Sequence, residues 1–211
     1  MSFKSLRFAC VLLLLTLVAL PAWANNGYNT LREPVRTLVN PDQIEVVAVF
    51  SYTCPFCYQL EPLIEVWAEH LPEDVVISYM PAIFNDQWGH YARAYYIMDS
   101  LDQVDQLHLR FFRYFHEENQ RPNSRRALRD FFVSEGVSAE DFDRLYDSFG
   151  VNSQYRRDQG RIAGHGLTGV PALVIDGRYV VDGQSARGLE NMVRIADRLV
   201  RQVRQERRNA E

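Results

Sequence analysis

The sequence predicts an α/β protein whose sheet domain is interrupted by an all-helical insertion, and three features carry that reading. Ile44 to Tyr52 (IEVVAVFSY) is apolar on both alternating faces, which suits a strand buried on both sides in a parallel or mixed sheet. From Trp88 to Ser148 the pattern is helical throughout, with apolar and aromatic residues three and four apart and no strand signal. Strands return at Ala172 to Ile175 and Arg178 to Val181, joined by Asp176-Gly177, the strongest short hairpin mark. The order strand, helix, strand, helical block, hairpin, helix describes one sheet domain split by an insertion.

Each element follows from its residues. Residues 1–24 read as a cleaved secretory signal, not as part of the fold. Lys4 and Arg7 supply the positive start, Phe8 to Leu20 the apolar stretch, and Ala22-Trp23-Ala24 the small-x-small cleavage site. At thirteen residues this apolar stretch falls short of the roughly 17 to 25 that a membrane-spanning helix needs. Losing Lys4 and Arg7 takes the formal net charge from -4 to -6, which offers no support for nucleic acid or anionic lipid as a partner. After the first strand, Cys57, Leu60, Ile64, Trp67, Ala68 and Leu71 recur at helical spacing, with Pro62 expected to kink the helix. Val75 to Met80 is a second strand.

The helical block contains WGHYARAYYIMDSL, DQLHLRFFRYFHEE, NSRRALRDFFVSEG and SAEDFDRLYDSFG. Gly136 and Gly150 are the expected stops, and Ser138 with Asp141 is a capping signature. Tyr91, Tyr95, Phe111, Phe112, Phe115, Phe131 and Phe132 are its expected core. A final helix is expected from about Ala186 to Arg207, with Leu189, Met192, Val193, Ala196, Leu199, Val200 and Val203 on one face. Its arginines, Arg194, Arg198, Arg201, Arg204, Arg207 and Arg208, read as a solvated face. The domain boundaries are then 25–84 and 158–211 for the two parts of the sheet domain and 85–157 for the insertion.

The chemistry lies in FSYTCPFCYQLEP, Phe50 to Pro62. Cys10 leaves with the signal, so Cys54 and Cys57 are the only cysteines of the mature chain. Zinc would need two more ligands, and His70, His90, His108, His116 and His165 show no finger-like spacing. No metal or organic cofactor is expected. An inert bridge across a two-residue gap would constrain little of the unfolded chain. A redox-active dithiol fits better. Cys54 falls near a helix N-cap, where free amides and the helix dipole stabilise a thiolate, and Cys57 falls one turn inside. Cys54 would exchange with substrate and Cys57 would resolve. Pro55 and Phe56 are uncharged, so they act through turn geometry. Each unit by which the Cys54 pKa drops below ambient pH adds about 1.4 kcal/mol, or roughly 30 mV of oxidising power. Farther on, GLTGVPALVIDGRY places Pro171 directly before a strand. There a cis Val170-Pro171 bond would set the Val170 backbone against Cys54, ready to pair with an extended peptide.

Five segments in order, GYNTLREPV, FSYTCPFCYQLEP, SFGVNS, GVPALVIDGRY and GLENMVRIADRLV, resemble the DsbA-type thiol:disulfide oxidoreductases, exported bacterial proteins. The resemblance implies a thioredoxin-like fold with an inserted all-helical domain and a periplasmic location. It also implies Cys54 as nucleophile, Cys57 as resolving thiol and Pro171 as cis-proline. Reduced or unfolded exported proteins would be the substrates, a membrane DsbB-type quinone-linked protein the reoxidase, and a monomer the active species. Two positions depart from the pattern. Phe56 stands where the best-known members carry histidine, and Ala48 stands where many carry a buried acid, with Glu45 the nearest acid and off register. The rival readings are a reductase or isomerase on the same fold, and a holdase-like module that uses its cysteines little. The short segment before Ile44 has no room for the dimerisation domain of known dimeric isomerases.

Overall fold

The computed structural model describes residues 26–210; the expected signal segment lies outside them. A five-stranded mixed sheet has the order β1-β5-β4-β2-β3. Its strands are β1 (Asn29–Thr30), β2 (Ile44–Phe50), β3 (Val75–Pro81), β4 (Ala172–Ile175) and β5 (Tyr179–Asp182). Here β2 pairs parallel with β3 and antiparallel with β4, and the β4–β5 hairpin carries β1 on its outer edge. Helix α1 (Pro55–Ala68) connects β2 to β3. Between β3 and β4 come α2 (Asp86–Ser100), α3 (Val104–His116), α4 (Arg125–Ser134), α5 (Ala139–Tyr146) and α6 (Phe149–Gly164). The chain closes with α7 (Gly183–Ala186) and α8 (Leu189–Ala210).

All seven residues of β2 are buried, because each face of the strand meets a different layer. Ile44, Val46 and Ala48 pack with Leu60, Ile64 and Trp67 of α1 and with Met192, Ala196, Leu199, Val200 and Val203 of α8. Val47, Val49 and Phe50 join the aromatic core of the helical block, where all seven aromatics expected from the sequence are buried. Fully burying one such phenylalanine contributes about 1.5 to 3 kcal/mol. At the hairpin, Asp176 (φ 53°) and Gly177 (φ 61°) are both left-handed, as a type I′ turn requires. A Cβ on Gly177 would lie 1.9 Å from the Val35 carbonyl oxygen, so position 177 also admits Val35, whose N–H donates to the Gly177 carbonyl at 2.8 Å.

The structure corrects four local expectations. Helix α1 passes through Pro62 but ends at Ala68, short of Leu71, which precedes Pro72 and is therefore disfavoured in helical conformation. Gly150 is no stop. It sits in the first turn of α6, which Ser148 caps by accepting from the Val151 N–H at 3.2 Å. The last helix is broken in two at Arg187 (φ 61°) and Gly188 (φ 136°), so the stretch expected from Ala186 begins at Leu189. The arginine stripe is partly tethered: Arg204 pairs with Asp74 at 2.9 Å and Arg207 with Asp176 at 2.6 Å, tying α8 to the loop before β3 and to the hairpin.

Candidate active site

The chain leaves β2 at Phe50, turns through Ser51-Tyr52-Thr53, and enters α1 with Cys54 as N-cap. Cys54 is extended (φ -90°, ψ 114°), and its N–H donates to Ser51 O at 3.0 Å. Pro55 follows as the first helical residue, where a missing N–H costs nothing and φ is already set. Cys57 is buried in the core, whereas the Phe56 side chain stands 59% exposed at the surface. Both cysteines are free thiols.

Their environments pull them apart. The Cys54 pKa is lowered from its ordinary value to about 6: chiefly because the Cys57 S–H donates to its sulfur, then, against the opposing cost of partial burial, because the Cys57 and Phe56 amides point at it. The Cys57 thiol is pushed well up, first by burial and then by its bond to the Cys54 sulfur. Spacing alone suggested the amides and the helix dipole as the cause; the largest contribution comes from the neighbouring thiol.

Opposite the pair, the Val170-Pro171 peptide is cis, and Cys54 Sγ lies 3.7 Å from the Val170 carbonyl oxygen. Cys54, Pro55, Phe56, Cys57, Val170 and Pro171, separated by more than a hundred positions in sequence, thus meet at one corner. From this corner opens a cavity of about 730 Å³, walled by Phe56, Leu31, Leu167, Val170, Pro171 and Gln184 among others. Its mixed polar and apolar wall suits an extended peptide. Among the described residues, no cluster of three or more His, Cys, Asp or Glu side chains is arranged to hold a metal.

Other neighbours of the site were not assigned from sequence. Tyr58 stacks on His116 with ring centroids 5.2 Å apart and donates to Glu117 at 2.5 Å. His165, on the cavity wall, is buried with neither ring nitrogen partnered, and burial beside Arg161 lowers its pKa to about 4. Near Cys57 lies a buried group of Tyr52, Glu61 and His108, with the half-buried Tyr79 packed against it. The position of Glu61 was legible, since four residues after Cys57 is the same helix face. That of His108 was not, because only the tertiary packing of α3 brings it there. Glu45 also finds its partner only in three dimensions: it is buried and paired with Arg161 of α6 at 2.6 Å.

A free Cys-x-x-Cys at a helix N-terminus, facing a cis-proline loop on a mixed sheet, defines a thiol:disulfide oxidoreductase of the thioredoxin superfamily. The family model described as a DSBA-like thioredoxin domain matches residues 45–194. The thiol:disulfide interchange protein DsbA of Pseudomonas aeruginosa is 33% identical over 181 residues, 86% of this chain and 85% of that protein. The DsbA of Azotobacter vinelandii is 33% identical over 167 residues, 79% of this chain and 78% of its own. A crystal structure of the P. aeruginosa DsbA matches with a TM-score of 0.82 at 32% identity, covering 86% of this chain and 94% of the other. That of the oxidoreductase DsbA from Xylella fastidiosa matches with a TM-score of 0.79 at 28% identity, covering 85% and 96%. The chain belongs to the DsbA family of thiol:disulfide interchange proteins.

Proposed function

We propose that this protein donates the disulfide between Cys54 and Cys57 to reduced cysteines of exported proteins as they fold. The observation that carries the reading is the division between an accessible sulfur with its pKa near 6 and a buried one held as thiol. A substrate thiolate attacks Cys54 Sγ, the Cys54–Cys57 bond breaks, and the electron pair leaves on Cys57. A second substrate thiolate then attacks its partner sulfur in the mixed disulfide and expels Cys54 as a thiolate. The good leaving character of Cys54 drives this second step.

The direction follows from the same acidity. At pH 7 a thiol with its pKa near 6 is mostly ionised, which stabilises the reduced protein by about 1.4 kcal/mol, or roughly 30 mV. The bridged form is correspondingly more oxidising. Val170, on the strand-entry loop beside Cys54, supplies backbone for pairing with an extended substrate, and the cavity beyond it receives the neighbouring side chains. Phe56 offers the substrate an exposed apolar contact.

The setting is the periplasm, after cleavage of residues 1–24; no described helix is long and apolar enough to cross a membrane. A membrane-bound quinone-linked protein of the DsbB type restores the disulfide, and the working species is a monomer. The sheet domain, 25–84 and 158–211, carries the redox corner, while the insertion, 85–157, packs against it. The redox cycle draws on no metal or organic cofactor. Cys57→Ala tests the assignment: it should accumulate mixed disulfides with exported proteins through Cys54, visible on non-reducing gels and abolished by adding Cys54→Ser. Equal trapping without Cys54 would overturn it, and a strongly reducing equilibrium with glutathione would reverse the direction.

A further inference from the structure

Cys57 must gain a proton when the internal disulfide opens and lose it when the disulfide re-forms, yet it lies in the core at 1% exposure. The groups that could exchange that proton are few. Glu61 follows Cys57 by one turn on the same face of α1 and is itself only 7% exposed. Its carboxylate influences Cys57 electrostatically. His108 of α3, also buried, places Nε2 3.6 Å from Glu61 Oε2 and makes no hydrogen bond there. Tyr52 Oη is 2.8 Å from His108 Nδ1, and Tyr79 lies close enough to Glu61 for the carboxylate to raise its pKa.

The surrounding wall is aromatic. His108 stands with ring centroids 4.8 Å from Phe50, 4.8 Å from Tyr79, 5.2 Å from Phe112 and 5.7 Å from Tyr95. The other titratable groups facing this pocket are Cys57 from α1, Tyr52 from the turn before it, Tyr79 from β3 and Tyr95 from α2, with the exposed Glu65 of α1 acting on Tyr79 from outside. Burial holds the three tyrosines as neutral phenols. Of these groups only His108 can become a cation. A buried carboxylate without a cation is costly, whereas a carboxyl and an imidazole with one proton between them are net neutral wherever that proton sits.

The network accommodates both placements. With the proton on Glu61, Tyr52 donates to Nδ1 and the neutral imidazole turns Nε2–H toward the carboxyl. With the proton on the imidazole, Nδ1–H donates to the phenol oxygen, and Tyr52 has a second acceptor in Met98 Sδ at 3.6 Å.

We propose that Glu61 and His108 hold the proton that Cys57 takes up and gives back during disulfide exchange, Glu61 passing it and His108 positioning Glu61 and balancing its charge. The inference rests on the assignment of Cys57 as the resolving thiol. When a substrate thiolate attacks Cys54 Sγ, the electron pair of the broken S–S bond arrives on Cys57, which takes the proton from the pair, and the solvent replaces it. In the reverse direction Cys57 S–H yields its proton to the pair. Its thiolate then attacks Cys54 Sγ in the mixed disulfide, and the partner leaves as a thiolate.

The test separates the two sulfurs. The reduced full chain is mixed with glutathione disulfide in stopped flow from pH 5 to 9, resolving attack by Cys54 from closure by Cys57. Glu61→Gln should slow closure by about 100-fold at pH 7 and make it rise in proportion to hydroxide. Attack by Cys54 and the thiolate absorbance titration near pH 6 should be unchanged. His108→Gln, which keeps a hydrogen-bonding side chain there, should shift the pH at which closure changes while leaving attack alone. Closure with the unaltered pH profile in Glu61→Gln overturns the inference, as does equal slowing of both steps. If Glu61→Gln does not fold, the His108→Gln profile decides. Failure of the unsubstituted protein to form a mixed disulfide at Cys54 would instead remove the functional assignment beneath it.

Discussion

The two faces of β2 carry different chemistry. Toward α1 and α8 the layer is apolar: Val46, Leu173, Ile175, Leu199 and Val203 are fully buried. Toward the helical block, the same strand meets a core into which charged side chains are set. Among the described residues, the buried Asp, Glu, Arg and His side chains, Glu45, Glu61, His108, Asp158, Arg161 and His165, lie on that side or at its seam with α1. Buried charge is costly and aliphatic packing is not. One face therefore holds the sheet together, while the other, which also contains Cys57, accepts a cost in order to place titratable groups near the redox pair.

Breaking the charged face should produce the largest effect on stability. Arg161→Met leaves Glu45 buried at 1% exposure with its partner gone, a loss of about 3 to 5 kcal/mol in denaturant unfolding. The Glu45→Met/Arg161→Met double variant should recover most of that, because both desolvation costs vanish together. A double variant as unstable as the single would show that the pair stabilises the fold outright.

The apolar face sharpens the comparison from the other side. Leu199→Ala should cost about 2 to 5 kcal/mol by the cavity it leaves, the spread depending on how far α8 can settle onto the sheet. The Cys54 titration and the glutathione exchange rates should not move, since both cysteines pack with the opposite layer. A shifted Cys54 midpoint in this variant would mean the faces are coupled and the contrast is weaker than the packing implies.

This asymmetry marks what the sequence could show. The double-sided burial of β2, the helix after the cysteines, the type I′ hairpin and the aromatic core of the insertion were legible because each is a local pattern with one physical cause. The Cys54–Val170 corner was legible too, through a Cys-x-x-Cys at a strand-helix junction followed by a Val-Pro before a strand. What stayed hidden needed long-range packing. Along β2, where many family members carry a buried acid, Ala48 and Glu45 offer none in register. The structure places one on α1 instead, at a position its spacing from Cys57 makes legible, but its partner His108 arrives from a helix 51 residues beyond Cys57. The break at Arg187-Gly188 was missed because the apolar spacing runs on across it, and two left-handed residues leave no mark on that period.

The smallest expected effect reads the redox pair itself as a dependence of stability on pH. The folded Cys54 pKa, about 6, lies below its ordinary value, so the thiolate's contribution to the folded reduced protein is fully present above the unfolded pKa and fades as pH falls through 6. Cys57 runs oppositely: its raised pKa costs stability only once the unfolded thiol ionises, above about pH 8. Between pH 5 and 7 only Cys54 acts, and the reduced form should gain about 1.4 kcal/mol. His90, His116 and His165 also have lowered pKa values and add their own loss of stability toward acid, but they are shared with the bridged form. Guanidinium unfolding of both redox forms at pH 5 and pH 7 therefore cancels them. The stability gap, taken as reduced minus bridged, should rise by that amount as pH rises. A gap constant with pH would mean that the Cys54 thiolate is no better held in the folded protein than in the unfolded chain, and the face that carries Cys57 would then do nothing for the sulfur that meets the substrate.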